Sequence, residues 1–131
     1  MKRHITSLLA SLVLAFSSTA TIAAGDHGAG HDHQPVHGGV VAEASDMDFE
    51  LVASTGHLRL YVRDHGKPAQ IAGATAKVTL LNGKDKTEAQ LQPAGDRLEA
   101  QGDFKAGPGT KAVAAVTLPG KKPVNVRFAL K

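Results

Sequence analysis

Four histidines, His27, His31, His33 and His37, fall within eleven positions of the segment GDHGAGHDHQPVHGG, residues 25–39. The spacing is H-x3-H-x-H-x3-H. Imidazole nitrogen is a ligand for Zn(II), Cu(II), Ni(II) and Co(II), and Asp26 and Asp32 add carboxylate oxygens to the same stretch. On a helix each outer pair, four residues apart, would lie on one face. Gly28, Gly30, Pro35, Gly38 and Gly39 oppose a helix, so the segment is expected to be a flexible chelator that wraps around an ion taken from solution. Cu(I), which prefers thiolates and thioethers, suits it poorly: the chain has no cysteine, and Met47 is the single methionine after Met1. The same composition also describes a plain solvated linker.

Where the mature chain begins decides how the segment is used. Lys2 and Arg3, the short apolar run from Leu8 to Phe16 and the small residues ending in Ile22-Ala23-Ala24 have the pattern of a secretory signal peptide over residues 1–24. The apolar run is too short for a membrane span, and no lipobox cysteine is present, so a soluble periplasmic product without stable membrane insertion is expected. Cleavage after Ala24 would expose Gly25-Asp26-His27. Its α-amine, two amide nitrogens and imidazole can form a square plane suited to Cu(II) or Ni(II). Cleavage after Ala23 would remove that geometry.

Loss of Lys2 and Arg3 lowers the formal net charge from +3 to +1, and no basic patch interleaved with aromatics suggests nucleic acid. Without cysteine there is no disulfide framework, so the fold must stand on packing. What remains suffices for one modest core.

That core must come from the elements after the histidine segment. The expected organisation is a disordered His/Gly-rich tail over residues 25–39 and one domain over residues 40–131. From Val40 the texture becomes period-two alternation. MDFELVA places Phe49, Leu51 and Ala53 on one face, and HLRLYV places Leu58, Leu60 and Val62 opposite Arg59, Tyr61 and Arg63. TAKVTLL and VNVRFAL alternate in the same way. Further strand candidates lie at Val40–Glu43, Thr87–Gln92, Arg97–Gln101 and Ala112–Leu118. The breaks STG, DHGKP, LNGK, PAGD, AGPG and PGKKP supply turn residues. Seven or eight short strands and no helical stripe predict an all-β, antiparallel β-sandwich of immunoglobulin-like size, with an open barrel as the second choice.

Two histidines of that domain stand apart from the tail. His65, in RDHGKP, reads first as a polar turn residue; alternatively Asp64 and His65 are folded-domain ligands that receive metal from the tail. His57 opens a strand and is expected to be exposed. No nucleophile motif or phosphate-cradling loop frames the Ser, His and Asp residues, so binding rather than catalysis is expected, and the chain is not read as an enzyme.

HGGVV, DFELV, LRLYVRDHGKP, ATAKVTLLNG and LQPAGDRLEA together resemble the His-rich N-terminal extension of periplasmic adaptor subunits of heavy-metal RND efflux pumps, and stand-alone proteins of that pattern. The likeness covers about residues 31 to 131. It implies periplasmic metal handling in copper, zinc, cobalt or cadmium resistance, and an RND-type metal efflux complex as partner. It transfers to His31, His33 and His37 as the tract, and also to Asp64 and His65. The chain lacks a coiled-coil hairpin and further adaptor domains, so a buffer or carrier is implied rather than a bridge. The expected function is divalent-metal binding, with Cu(II) or Zn(II) first and Ni(II) or Co(II) next. The rival is an exported interaction module whose tail is a linker and whose edge strands recruit a partner.

Overall fold

The alternation along the chain becomes backbone pairing in a computed structural model, which describes residues 33–131. Nine strands follow in order: β1 (Val40–Ala44), β2 (Met47–Ser54), β3 (His57–Asp64), β4 (Lys67–Pro68), β5 (Thr75–Asn82), β6 (Asp85–Ala94), β7 (Arg97–Gln101), β8 (Lys111–Thr117) and β9 (Val124–Ala129). Every pairing is antiparallel, in the order β1-β2-β3-β7-β6-β5-β8-β9, with β4 added to β3. The ten-residue β6 joins the two halves. It pairs with β5 up to Leu91 and with β7 from Gln92 onward. The end strands β1 and β9 lie side by side without a ladder between them, so the single sheet is curled almost into a barrel, closer to the open barrel expected second than to two separate packed sheets.

The expected all-β antiparallel class is therefore the observed one. β4 is the strand beyond the expected eight: two residues, one of them proline, sitting inside what reads as a turn. Its pairing of Asp64 with Lys67 closes the turn at His65-Gly66.

The inward rows are aliphatic. Phe49 pairs with Ala42 and Val62, and Leu51 with Val40 and Leu60. Phe49, Leu51, Leu58, Leu60, Leu91 and Leu98 are fully buried. Burying each such side chain contributes about 1.5–3 kcal/mol, which is how a chain without disulfides holds together.

The outward rows of β1, β2 and β3 matter for chemistry. Register sets Glu43 opposite Asp48 and Asp48 opposite Arg63, and sets Val41 opposite Glu50 and Glu50 opposite Tyr61. Outward residues of a half-buried sheet should face water, yet Asp48 and Glu50 are buried. What covers them is the segment before β1. Its glycine content predicts a flexible tail through Gly39; the structure instead lays residues 33–39, without regular secondary structure of their own, across this face.

Candidate metal centre

Glu50 anchors the covering segment. Its carboxylate is 1% exposed and accepts the backbone amide of Val36 at 2.6 Å and that of His37 at 2.7 and 2.9 Å. A buried carboxylate is tolerated only when its oxygens are hydrogen-bonded, and here the chain's own amides do this. The His37 ring stacks on Tyr61 with centroids 3.5 Å apart and planes 7° apart, and its Nδ1 stands 3.4 Å from Glu50 Oε2. On the neighbouring strand Arg63 donates to the Gln34 carbonyl at 2.9 Å. The backbone enters β1 through Gly38, at φ +77°, and Gly39, where an added Cβ would press into the Leu51 carbonyl and lie 2.8 Å from Val52 Cγ2. The HGG pair is thus a sharp turn followed by a close approach that only glycine permits.

This clamp delivers His33 to two carboxylates. The β1–β2 connection is a two-residue turn with both Ser45 (φ 51°) and Asp46 (φ 61°) left-handed, the conformation that suits strand twist in tight hairpins. A two-residue turn forces Glu43 to face Asp48. Like charges directly opposite on a sheet destabilise it, and a cation between them relieves the repulsion. The His33 ring lies between the two carboxylates: Nδ1 is 2.7 Å from Asp48 Oδ1, and Nε2 is 3.6 Å from Glu43 Oε2. Asp48 accepts, so Nδ1 carries the proton.

One ligand atom from each of His33, Glu43 and Asp48 lies within 4.8 Å of the others. Metal–ligand bonds of 2.0–2.2 Å place tetrahedral ligand atoms about 3.3 Å apart, so the three can hold one ion once the His33–Asp48 hydrogen bond opens and the ring turns an unprotonated nitrogen to it. They line a cleft of about 160 Å³ together with Asp46 and His65.

Of the residues marked by the sequence, His33 belongs to this cluster and His65 to the cleft wall, whereas His37 is committed to the Tyr61 stack and does not join them. Asp64 bonds through Oδ1 to His65 Nδ1, and its Oδ2 lies 3.5 Å from Lys121 Nζ. The His65 hydrogen bond holds the Asp64 carboxyl below its ordinary value; burial opposes this and Lys121 assists. Gly25, Asp26, His27, His31 and Asp32 lie outside the described residues. Glu43 and Asp48 were not marked; they belong to the polar half of the alternation, whose pairing depends on recognising the turn.

His57 belongs to a different cluster. Glu99 takes hydrogen bonds from Arg97 Nε at 2.9 Å and His57 Nδ1 at 3.1 Å, with Arg59 Nε at 3.6 Å. The Arg97 bond holds the Glu99 carboxyl below its ordinary value, burial opposes it, and the His57 bond assists. Two guanidiniums beside one carboxylate repel a metal ion, so this cluster is a structural ion network on the sheet surface.

No protein-family model, curated protein or solved structure matches the chain.

Proposed function

We propose that the chain is an exported, periplasmic divalent-metal-binding protein, a buffer or carrier in heavy-metal resistance, in which the histidine segment gathers the ion and the β1–β2 hairpin holds it. The observation that supports this most is the juxtaposition of His33 with the facing carboxylates Glu43 and Asp48. One borderline nitrogen and two oxygens suit Zn(II), Co(II) and Ni(II), with Cu(II) favoured by intrinsic affinity when available. The resemblance to efflux-adaptor extensions is in keeping with a carrier that passes metal to an RND-type pump.

The site is built for exchange. Its ligands are imidazole and carboxylate on a half-open surface, and no thiolate would trap the ion. His27 and His31, a few residues upstream, add two further imidazoles that can gather the ion.

The test is calorimetric titration of the protein with Zn(II) and Cu(II), beside a variant carrying His33→Ala, Glu43→Gln and Asp48→Asn. The expected result is loss of the tightest Zn(II) site in the variant and retention of weaker tail binding. Identical isotherms would overturn the hairpin as metal centre. Absence of binding in both proteins would overturn metal handling altogether.

A further inference from the structure

The cleft that holds His33, Glu43 and Asp48 has a wall formed by a second turn. Register brings Ala44, Met47 and Asp64 into line across β1, β2 and β3, so the β1–β2 and β3–β4 turns project from the same end of the sheet. His65 is the first residue of the second turn and lines the cleft.

His65 takes a left-handed position of that turn. Its φ is 52° and that of the following Gly66 is 80°, a turn with both central residues left-handed. Asn, Asp or Gly is the usual residue at the first of these places, and His is among the few other side chains that take positive φ readily.

The His65 ring is oriented by a hydrogen bond to its neighbour Asp64. Asp64 is a carboxylate and can only accept, so His65 Nδ1 carries the proton and the lone pair of the neutral ring is on Nε2. A carboxylate behind a histidine is the arrangement that fixes the tautomer and orientation of a ligating imidazole and makes it a better donor. Asp64 is itself steadied by Lys121.

Resting on the metal-binding reading above, we propose that His65 is the fourth ligand of a four-coordinate site. Its two nitrogens and two oxygens come from His33, Glu43 and Asp48, which already group within 4.8 Å, and from His65, which stands outside that group on the cleft wall and swings in to the ion; the site takes Zn(II). Asp64 is then a positioning residue behind His65 and not a ligand. The ion ties together the covering segment, the β1–β2 hairpin and the β3–β4 turn at the cleft. Zn(II) and Co(II) prefer four-coordinate tetrahedral surroundings, whereas Cu(II) prefers a square plane, so a Co(II) spectrum reads which geometry the four groups adopt.

The test uses the full chain with His27→Ala and His31→Ala, so that the upstream histidines do not compete, and Co(II) as a coloured stand-in for Zn(II). Four-coordinate Co(II) absorbs visible light far more strongly than six-coordinate Co(II), and Zn(II) should displace it. His65→Asn keeps a residue that tolerates the left-handed turn while removing the imidazole. It is expected to lower Co(II) affinity at least about tenfold and to collapse the intense visible band. Asp64→Asn is expected to weaken binding about 10–100-fold with the band retained, the mark of an orienting group rather than a ligand. His57→Ala should change neither. If His33→Ala abolishes binding while His65→Asn leaves affinity and band intact, the fourth ligand is overturned and the three-residue centre stands. If His33→Ala also leaves both unchanged, the metal centre itself fails, and this inference with it. Thermal unfolding of each variant confirms that the sheet is folded.

Discussion

Glu43 and Asp48 face each other across the β1–β2 ladder, two carboxylates forced into opposition by a two-residue turn, with the His33 ring between them. Their mutual repulsion costs stability that a bound cation recovers. Glu43→Gln is expected to raise the stability of the metal-free protein by about 0.2–1 kcal/mol while lowering Zn(II) affinity at least about tenfold. Chemical denaturation in chelator, beside a Zn(II) titration, reads both. A variant that loses stability and keeps its affinity would contradict this.

Metal should also stabilise the fold by mass action. At free Zn(II) one hundred times the dissociation constant, unfolding free energy should rise by about 2.7 kcal/mol, and chelator should reverse it. The upward shift in melting temperature should vanish in the His33→Ala, Glu43→Gln, Asp48→Asn variant. A shift of equal size in that variant would assign the effect to another site.

Glu50 pins the covering segment through the Val36 and His37 amides. Glu50→Ala removes their acceptor and is expected to cost about 1–3 kcal/mol. Amide exchange would show the loss at Val36 and His37, with the core strands β2 and β3 still protected. Zn(II) affinity should fall too, because His33 is no longer held beside Asp48. Retained protection at both amides would show that the Tyr61 stack holds the segment without Glu50.

Gly39 lies where a Cβ meets the Leu51 carbonyl and Val52. Gly39→Ala is expected to destabilise by about 1–3 kcal/mol, read by denaturant midpoint, since backbone must give way. At Gly38 an added Cβ has open space but the backbone is left-handed, so Gly38→Asn should be better tolerated than Gly38→Val.

Acid stability should carry the signature of Glu99. Its carboxyl is held below the ordinary 4.5, chiefly by Arg97, so its contribution is fully present above that value and is lost as pH falls through the lower folded one. The stability difference between wild type and Glu99→Gln should therefore be constant near neutrality and shrink below about pH 4. A difference unchanged into strong acid would contradict the assigned direction.

The strands were legible because inward residues such as Phe49, Leu51, Leu58 and Leu60 alternate without interruption, and alternation is what a half-buried strand requires. The metal centre was legible only at His33. Glu43 and Asp48 are equidistant from Ser45-Asp46, so recognising a two-residue turn there pairs them at once. Ser-Asp lacks the Asn-Gly or Asp-Gly signature of such turns, and the pairing stayed hidden. The docking of residues 33–39 was not legible either. The segment is rich in glycine and poor in apolar groups, and its anchors Glu50, Tyr61 and Arg63 lie 13 to 29 residues away in sequence. Composition reports what a segment can bury, and not which distant acceptor waits for its amides.

The most direct test is anomalous diffraction at the zinc edge from crystals of the protein grown with Zn(II). A peak is expected about 2.0–2.2 Å from His33 nitrogen and from carboxylate oxygens of Glu43 and Asp48. Zinc density confined to other positions, with the His33–Asp48 hydrogen bond intact, would contradict it.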